Sequence, residues 1–191
     1  MNTGRGNSTR LFLAWLPVAF WIGIIILEST PTFGADHTVK WIRPIVAGLF
    51  GPSMLKYLDF INEAMRKTGH FTGYGILSLL CYRGWRELIL LTVESGLKPV
   101  LKTADFLKSL RGLWWARASL LAILSTAFVA SCDEFHQSFL PNRTGVFRDV
   151  VLDTTGALFF QALILTFSSF QPKRTGSPSM HESSPIGSMP L

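Results

Sequence analysis

Long apolar runs separated by short polar blocks dominate the chain. Four segments have the length and composition of membrane-spanning helices, at 11–27, 64–82, 113–131 and 150–167. A helix needs about 20 mostly apolar residues to cross a bilayer, so the first run is a short span. A cleaved signal peptide is the alternative for that run, but no small-x-small cleavage site follows it. We therefore predict four retained spans.

The region between the first two spans is mixed in character. Residues 39–50 are apolar, but this run is short and contains Pro44 and Gly48. Residues 53–65 place apolar side chains on one helical face and charged ones on the other. This pattern predicts an amphipathic helix that lies in the membrane interface or forms a shallow re-entrant piece. A helix packed on the outer end of the bundle is the alternative.

Both ends of the chain lack apolar periodicity. Residues 1–10 are polar, and residues 171–191 are rich in Pro, Ser and Gly, so we predict two disordered tails. The membrane domain then covers 11–170. The pattern as a whole predicts an all-α fold, an integral membrane bundle of about four transmembrane helices with one additional amphipathic helix.

The composition is that of a membrane protein. Of the 191 residues, 48% are hydrophobic and 16% are charged, which is unusual for a soluble domain. The net charge of +6 could suit nucleic acid, but the basic residues form short blocks between apolar runs, so we predict no nucleic-acid partner. Cys81 and Cys132 lack the spacing of a zinc site. We predict no cofactor and assign no metal site.

The distribution of basic residues predicts the orientation. The two tails and the segment between the second and third spans, with Arg117, hold eleven of the eighteen Lys and Arg residues. Excess positive charge stays on the cytoplasmic side of a membrane. We therefore predict that both termini are cytoplasmic.

Polar side chains share one face at the start of the second span. Lys67 and His70 are three residues apart, and His70 and Tyr74 are four apart, which places all three on one side of a helix. A charge near the centre of a membrane helix costs roughly 2.5–3.5 kcal/mol, so such a residue needs a partner or a function.

A second polar block follows the third span. Gln137 shares a helical face with both Asp133 and Glu134, after which Pro141 ends the helix and Arg143 lies in the turn.

The fourth span opens with a stripe of the same kind. Asp149, Asp153 and Gly156 follow one another at intervals of four and three residues. Gly156 would let a neighbouring helix approach closely.

The topology brings these groups to one side of the membrane. The start of the second span, the end of the third and the start of the fourth all face outward. We therefore expect the polar residues to converge there: Lys67, His70, Glu134, Gln137, Arg143, Asp149 and Asp153. Two explanations stay open, a binding or catalytic site and a polar network that holds the helices together.

The two blocks, RKTGHFTGYGIL and DEFHQSFLPNRTGVFRDVVLDTTGAL, resemble the VanZ-like family of small bacterial membrane proteins, named for a protein associated with teicoplanin resistance. The resemblance rests on Lys67, His70, Tyr74, Asp133, Glu134, Gln137, Pro141, Arg143, Asp149, Asp153 and Gly156. Many members carry a glutamate where this chain has Gly73, so any role of that carboxylate is missing here. The resemblance implies a cell-envelope protein of the bacterial cytoplasmic membrane.

Our leading hypothesis is a protein that binds an anionic lipid-linked or cell-wall ligand at the outer leaflet and influences teicoplanin sensitivity. Lys67 and Arg143 would hold the anion. The other ligand-binding candidates are Tyr74, Asp133, Glu134, Gln137, Asp149, Asp153 and His70, which could also sense pH.

The second hypothesis is a membrane hydrolase or transferase. His70, Glu134 and Asp149 are the candidate catalytic residues, as acid and base or as ligands of a divalent metal. No dedicated nucleophile is evident, since Ser138 and Thr144 are merely the nearest hydroxyls. The third hypothesis is a structural or partner-binding membrane protein. Whether the chain is an enzyme, and whether it forms a homo-oligomer, stay open.

Overall fold

The computed structural model describes residues 3–96, 104–140 and 145–169. These residues form helices and turns without any strand. Five α-helices are present, α1 (Thr3–Glu28), α2 (Ala35–Phe50), α3 (Leu58–Gly96), α4 (Ala104–Gln137) and α5 (Phe147–Ser169). Two short 3-10 helices, Pro31–Phe33 and Pro52–Tyr57, flank α2. The predicted all-α class is confirmed for the part of the chain that is described.

Three of the helices can cross a membrane by length and composition. They contain the segments Gly6–Glu28, Leu113–Gln137 and Phe147–Phe167. Large apolar side chains on these helices face outward, among them Phe20 and Phe128, which are 69% and 70% exposed. Such exposure suits lipid contact and would be unfavourable in water. These segments correspond to the predicted first, third and fourth spans.

The predicted second span, 64–82, lies inside α3, which is 39 residues long. At 1.5 Å per residue this helix is about 58 Å long, well beyond the hydrocarbon thickness of a bilayer. α3 is not among the three helices that qualify as spans, because its polar residues lower its hydropathy. The fourth membrane crossing therefore stays a prediction.

The region between α1 and α3 differs from its predicted form. The segment 39–50 belongs to the continuous helix α2, which runs through Pro44. Trp41, Ile45 and Leu49 form an exposed apolar stripe on this helix, while Val46 is buried on another face. The predicted amphipathic segment 53–65 is instead divided between a 3-10 helix and the start of α3. That either segment lies in the membrane interface stays a prediction.

The helices also extend beyond the predicted spans. α1 begins at Thr3, so residues 3–10 are helical where a disordered tail was predicted. This end of α1 is held to α3 by an ion pair between Arg10 Nε and Glu87 Oε1 at 2.7 Å. α3 continues to Gly96 through the segment predicted as a basic loop. The predicted C-terminal tail, 171–191, lies outside the described residues.

α3 is the centre of the bundle and packs against α1, α4 and α5. Small residues allow the close approach of these helices. A methyl group at Gly156 would collide with the backbone carbonyl oxygen of Phe71, so α5 lies directly on the α3 backbone, as the sequence predicted. Ala118 and Ala122 of α4 are fully buried in the same core. The result is a tight contact among α3, α4 and α5.

Candidate functional site

Four elements bring polar side chains together at one end of the bundle. α3 contributes His70 and Tyr74 near its beginning, and α4 contributes its last turn. α5 contributes its first two turns, and the residues at the end of α1 complete the group. Two neighbouring clusters result, which differ in how their hydrogen-bonding groups are satisfied.

The first cluster, the Asp133 network, consists of Ser29, Tyr74, Asp133 and Gln137. Tyr74 donates its hydroxyl to Asp133 Oδ2 at 2.9 Å, and Gln137 Nε2 donates to the same oxygen at 2.9 Å. Ser29 donates its hydroxyl to Asp133 Oδ1. All four side chains are buried. Both carboxylate oxygens therefore have partners, and the network joins α1, α3 and α4.

The second cluster, the His70 trio, consists of His70, Glu134 and Asp153. One ligand atom from each of them lies within 4.8 Å of the other two. His70 Nδ1 is 3.3 Å from Asp153 Oδ1 and 3.4 Å from Oδ2. Asp153 is completely buried and Glu134 is 5% exposed, whereas His70 is partly exposed. The trio is thus a buried pair of carboxylates with an accessible imidazole.

The turn before α5 positions Glu134. The Val146 amide donates to Glu134 Oε2 at 2.8 Å. Gly145 makes this contact feasible, because a Cβ at that position would collide with the Glu134 backbone carbonyl oxygen. Glu134 Oε1 and Asp153 Oδ1 have no hydrogen-bond partner among the described residues. Buried polar atoms are seldom left in this state.

A cavity of about 470 Å³ adjoins the trio. It lies between α3 and the start of α5, and His70 and Leu152 are among the residues that line it. Its charged lining residues are Asp59, Glu63, Arg66, Lys67, Arg148 and Asp149. This volume is of the size that a small polar molecule or a lipid headgroup requires.

His70 also lines two smaller cavities. One, of about 200 Å³, lies against Ile42, Met65 and Arg66. The other, of about 30 Å³, lies between α1 and α3 next to Ser29 and Asp133. His70 therefore lines all three of these cavities.

Comparison with known proteins identifies the family. A family model described as VanZ/LLP1 matches residues 12–168. The chain belongs to the VanZ/LLP1 family. No curated protein and no solved structure matches it. The match covers all three candidate spans almost completely, so the membrane assignment and the family assignment agree.

The structure brings together His70, Glu134, Gln137 and Asp153, four of the seven residues that topology and helical spacing predicted to converge. His70, Glu134 and Asp153 form the trio, and Tyr74, Asp133 and Gln137 belong to the neighbouring network. That these residues bind a ligand stays a prediction.

Two predicted ligand-binding residues lie at the rim of this VanZ-like site. Lys67 and Asp149 line the large cavity, outside the buried clusters. Lys67 pairs with Glu63 on the same helix. The hydrogen bond and positive charge of Lys67 hold the pKa of the Glu63 carboxyl below its usual value. The predicted anion-binding residue Arg143 lies outside the described residues.

Several residues of the site were missed by sequence reasoning. Ser29 belongs to the Asp133 network, and Glu28 lines both smaller cavities. Arg66 and Arg148 line the large cavity, although they lie beside the motif positions rather than on them. The available signal was the polar Glu28-Ser29 pair directly after the first apolar run.

A further buried polar contact lies deeper in the bundle of this VanZ-like protein. Gln161 Nε2 of α5 donates to the backbone oxygen of Ser78 at 3.0 Å and to its hydroxyl at 2.8 Å. Both side chains are almost fully buried. Because the pair links α3 to α5 away from any cavity that His70 lines, it serves helix association.

Proposed function

We propose that this VanZ-like protein binds an anionic lipid-linked or cell-wall ligand at the outer leaflet of the bacterial cytoplasmic membrane, and that it thereby influences sensitivity to teicoplanin. The observation that carries the proposal is the cavity of about 470 Å³, into which Arg66, Lys67 and Arg148 bring three cations. Guanidinium groups bind phosphate and carboxylate in two-pronged hydrogen bonds, which favours an anionic ligand.

The cavity also has carboxylates, so the ligand should carry hydrogen-bond donors besides its anionic group. Asp59 and Asp149 line the same space as Arg66 and Arg148. Lys67 and Glu63 largely neutralise each other as a pair. A phosphorylated sugar or an amino-acid-bearing headgroup would match this mixture, with its anion on the arginines and its hydroxyl or amino groups on the aspartates.

The neighbouring 200 Å³ cavity favours a ligand with an apolar part. It shares Arg66 and His70 with the large cavity, while Ile42 of α2 and Met65 of α3 give it an apolar wall. A headgroup in the large cavity could therefore continue into a hydrocarbon chain between α2 and α3. This arrangement supports a lipid-linked ligand over a free soluble anion.

The proposal includes a topology of four crossings with both termini in the cytoplasm. α3 would supply the fourth crossing, and the polar clusters would then lie towards the outer leaflet. Cysteine-accessibility labelling in intact cells tests this topology. In a protein whose exposed Cys132 is replaced by Ser, a cysteine placed at exposed Lys56 should react with a membrane-impermeant maleimide, whereas one at exposed Arg10 should not. The opposite pattern would contradict it.

Native mass spectrometry of protein purified in mild detergent tests ligand binding. We expect the wild type to retain an anionic lipid adduct, and the Arg66→Gln, Arg148→Gln double variant to lose most of it. Lys40→Gln is the matched control, because Lys40 is an exposed cation of α2 that lines none of the three cavities. Equal adduct levels in all three proteins would reject the proposal.

An antibiotic-sensitivity assay tests the cellular role. We expect Arg143→Ala and the Arg66, Arg148 double variant to shift teicoplanin sensitivity towards that of cells lacking the protein, at equal protein level in the membrane. If each variant folds and retains every envelope phenotype of the wild type, the anion-binding idea is wrong.

A membrane hydrolase or transferase is the second candidate, and the contact between His70 and Asp153 favours it. A buried carboxylate 3.3 Å from the imidazole can orient the ring and stabilise its protonated form. His70 lines the large cavity and could thus exchange a proton with a bound ligand. Ser138 is a poor nucleophile candidate, since its hydroxyl donates to the Phe135 backbone oxygen at 2.6 Å.

Turnover assays distinguish the enzyme from the binding protein. Purified protein would be incubated with a panel of lipid-phosphate substrates, and product would be followed by mass spectrometry. The enzyme hypothesis requires turnover that disappears in His70→Ala and persists in Lys40→Gln. Turnover by none of the substrates, from a protein that retains its lipid adduct, would favour binding alone.

A further inference from the structure

We propose that the His70 trio is a binding site for a divalent transition-metal cation, with one nitrogen ligand from His70 and one oxygen ligand each from Glu134 and Asp153. This site goes beyond the proposed ligand binding and does not depend on it. The sequence analysis assigned no metal site and raised a divalent metal only under the enzyme hypothesis, with Asp149 as a candidate where the trio has Asp153.

The spacing of the three side chains suits one metal ion. Their ligand atoms lie within 4.8 Å of one another. Metal–nitrogen and metal–oxygen bonds of about 2.0–2.2 Å place ligands of one ion about 3–4 Å apart, so small side-chain movements suffice. Each ligand comes from a different helix, His70 from α3, Glu134 from α4 and Asp153 from α5. An ion there would therefore also tie the three central helices together.

Two buried carboxylate oxygens accept no hydrogen bond at this point, and of the two only Asp153 Oδ1 has the His70 imidazole beside it, at 3.3 Å. Glu134 Oε1 and Asp153 Oδ1 accept no hydrogen bond from any described residue. The exposed fraction is 5% for Glu134 and 0% for Asp153. An unpaired buried charge is costly, and a metal ion is one of the few partners that satisfy it. By contrast, Glu134 Oε2 is occupied by the Val146 amide at 2.8 Å, which leaves Oε1 as the free ligand atom.

The charge balance of the region also favours a cation. Asp133, Glu134 and Asp153 bring three buried carboxylates into one small volume, with His70 as the adjacent basic group. Within the described ranges, no Lys or Arg forms an ion pair with any of the three. Lys67, the basic residue one helical turn before His70, is paired with Glu63 instead. A divalent ion would neutralise the two carboxylates of the trio.

The site has both a route of entry and room for further ligands. His70 is partly exposed and lines the 470 Å³ cavity, so an ion can reach the trio from there. Three protein ligands leave coordination positions open to water or to an oxygen atom of a bound molecule. A mixed set of one imidazole and two carboxylates suits Mn²⁺, Fe²⁺ or Zn²⁺ better than Ca²⁺ or Mg²⁺, which prefer oxygen ligands alone.

Titration of metal-stripped, full-length protein in detergent tests the site without any lipid ligand. The protein would be treated with chelator, exchanged into clean buffer and titrated with Mn²⁺, with free Mn²⁺ followed by electron paramagnetic resonance. We expect saturable binding of one ion per chain. We also expect Mn²⁺ to raise the melting temperature, because it binds the folded state alone.

Variants of the ligands identify the location of the ion. Glu134→Gln keeps the side-chain shape and an acceptor for Val146, and His70→Ala removes the nitrogen ligand. Each should weaken Mn²⁺ binding at least about tenfold, since even partners that merely support a metal ligand contribute this much. Asp59→Asn is the matched control, because Asp59 is a carboxylate of the same cavity outside the trio. Its Mn²⁺ affinity should equal that of the wild type.

The outcomes are distinct. Absence of saturable Mn²⁺ and Zn²⁺ binding by the wild type would overturn the site, whatever the variants do. Binding that survives in both folded ligand variants would place the ion elsewhere and would equally overturn it. Because Glu134→Gln is nearly isosteric, it serves as the deciding variant if His70→Ala fails to fold. A wild type that carries no lipid adduct but binds Mn²⁺ would reject the proposed function and leave the metal site standing.

Discussion

Asp133 and Glu134 are consecutive residues at the same end of α4, and both are buried, yet their surroundings differ. Both oxygens of Asp133 accept hydrogen bonds from the network that joins α1, α3 and α4. Glu134 is held by one backbone amide, and its Oε1 has no partner among the described residues. The Asp133 network is closed, whereas the trio around Glu134 is open.

The difference separates two uses of a buried carboxylate. A fully satisfied network in a low-dielectric interior makes the arrangement of helices specific, and removing one member leaves the others without partners. An unsatisfied carboxylate beside a cavity contributes little to folding and is available for a ligand. The Asp133 network therefore has the form of a helix-joining contact, whereas the His70 trio is the place of the proposed metal site.

The largest expected effect is that of Asp133→Ala on stability. The change would remove the acceptor of the buried Ser29 and Tyr74 hydroxyls and one acceptor of Gln137. It should lower the free energy of unfolding by about 3–5 kcal/mol, since each stranded group costs about 1–3 kcal/mol. The measurement is thermal or denaturant-induced unfolding in detergent.

Asp153→Asn is the control that tests whether the Asp133 network and the His70 trio differ in their contribution to stability. It removes the charge of a buried carboxylate in the open trio but keeps the side-chain shape and an oxygen that can accept from His70. The stability should therefore change by less than about 1 kcal/mol. Equal losses in the two variants would show that both clusters are structural and would remove the distinction drawn above.

Gly156→Ala is expected to have the next largest effect. The added methyl group would collide with the Phe71 carbonyl oxygen and push α5 away from α3. Overpacking of this kind should lower the free energy of unfolding by about 1–3 kcal/mol. Because α5 carries Asp153 and α3 carries His70, the same change should weaken Mn²⁺ binding by the trio.

Gly73→Ala is the matched control for this prediction. A Cβ at Gly73 would meet no atom within 4 Å. Alanine is also favoured over glycine inside a helix, so the stability should stay the same or rise by about 0.5–1 kcal/mol. A loss at Gly73 as large as that at Gly156 would mean that helix flexibility, rather than close packing, determines the result.

Gln161→Leu extends the comparison to the buried contact of α5 with Ser78, in which Gln161 Nε2 has two acceptors. It removes both hydrogen bonds to Ser78, and the expected loss of stability is about 0.6–1.7 kcal/mol, from the average to the maximum found for hydrogen bonds between membrane helices. Mn²⁺ affinity should not change, since the pair lines none of the cavities that adjoin the trio. A loss of metal binding without a loss of stability would contradict the separation of the two regions.

The smallest effect is expected at the exposed pair of Glu63 and Lys67. Lys67 lowers the pKa of the Glu63 carboxyl, so the pair stabilises the fold fully above pH 4.5, the ordinary value, and the contribution is lost as pH falls through the lower pKa of the folded state. The melting temperature of Glu63→Gln should therefore lie slightly below that of the wild type at pH 7. The two should converge in acid, and a difference that grows on acidification would contradict this assignment.

The local pattern of the chain was sufficient for several conclusions. Hydropathy located the three spans that the structure supports, and the spacing of four and three residues placed Asp153 and Gly156 on one face of α5. The two sequence blocks also identified the family that the comparison then confirmed. These properties follow from composition and helical period, which the sequence carries directly.

Which hydrogen-bond partner each polar side chain meets depends on the tertiary structure. Periodicity assigns Asp133 and Glu134 to the end of one helix but cannot say which of them meets Ser29 and Tyr74. That depends on the rotation of four helices about their axes, which the packing at Gly156 and similar small residues determines. Lys67 shows the same limit, because its partner proved to be Glu63 on its own helix. The sequence thus indicated which residues are polar and at which end of the bundle they lie. Helix packing determined which of them have hydrogen-bond partners and which can be reached from a cavity.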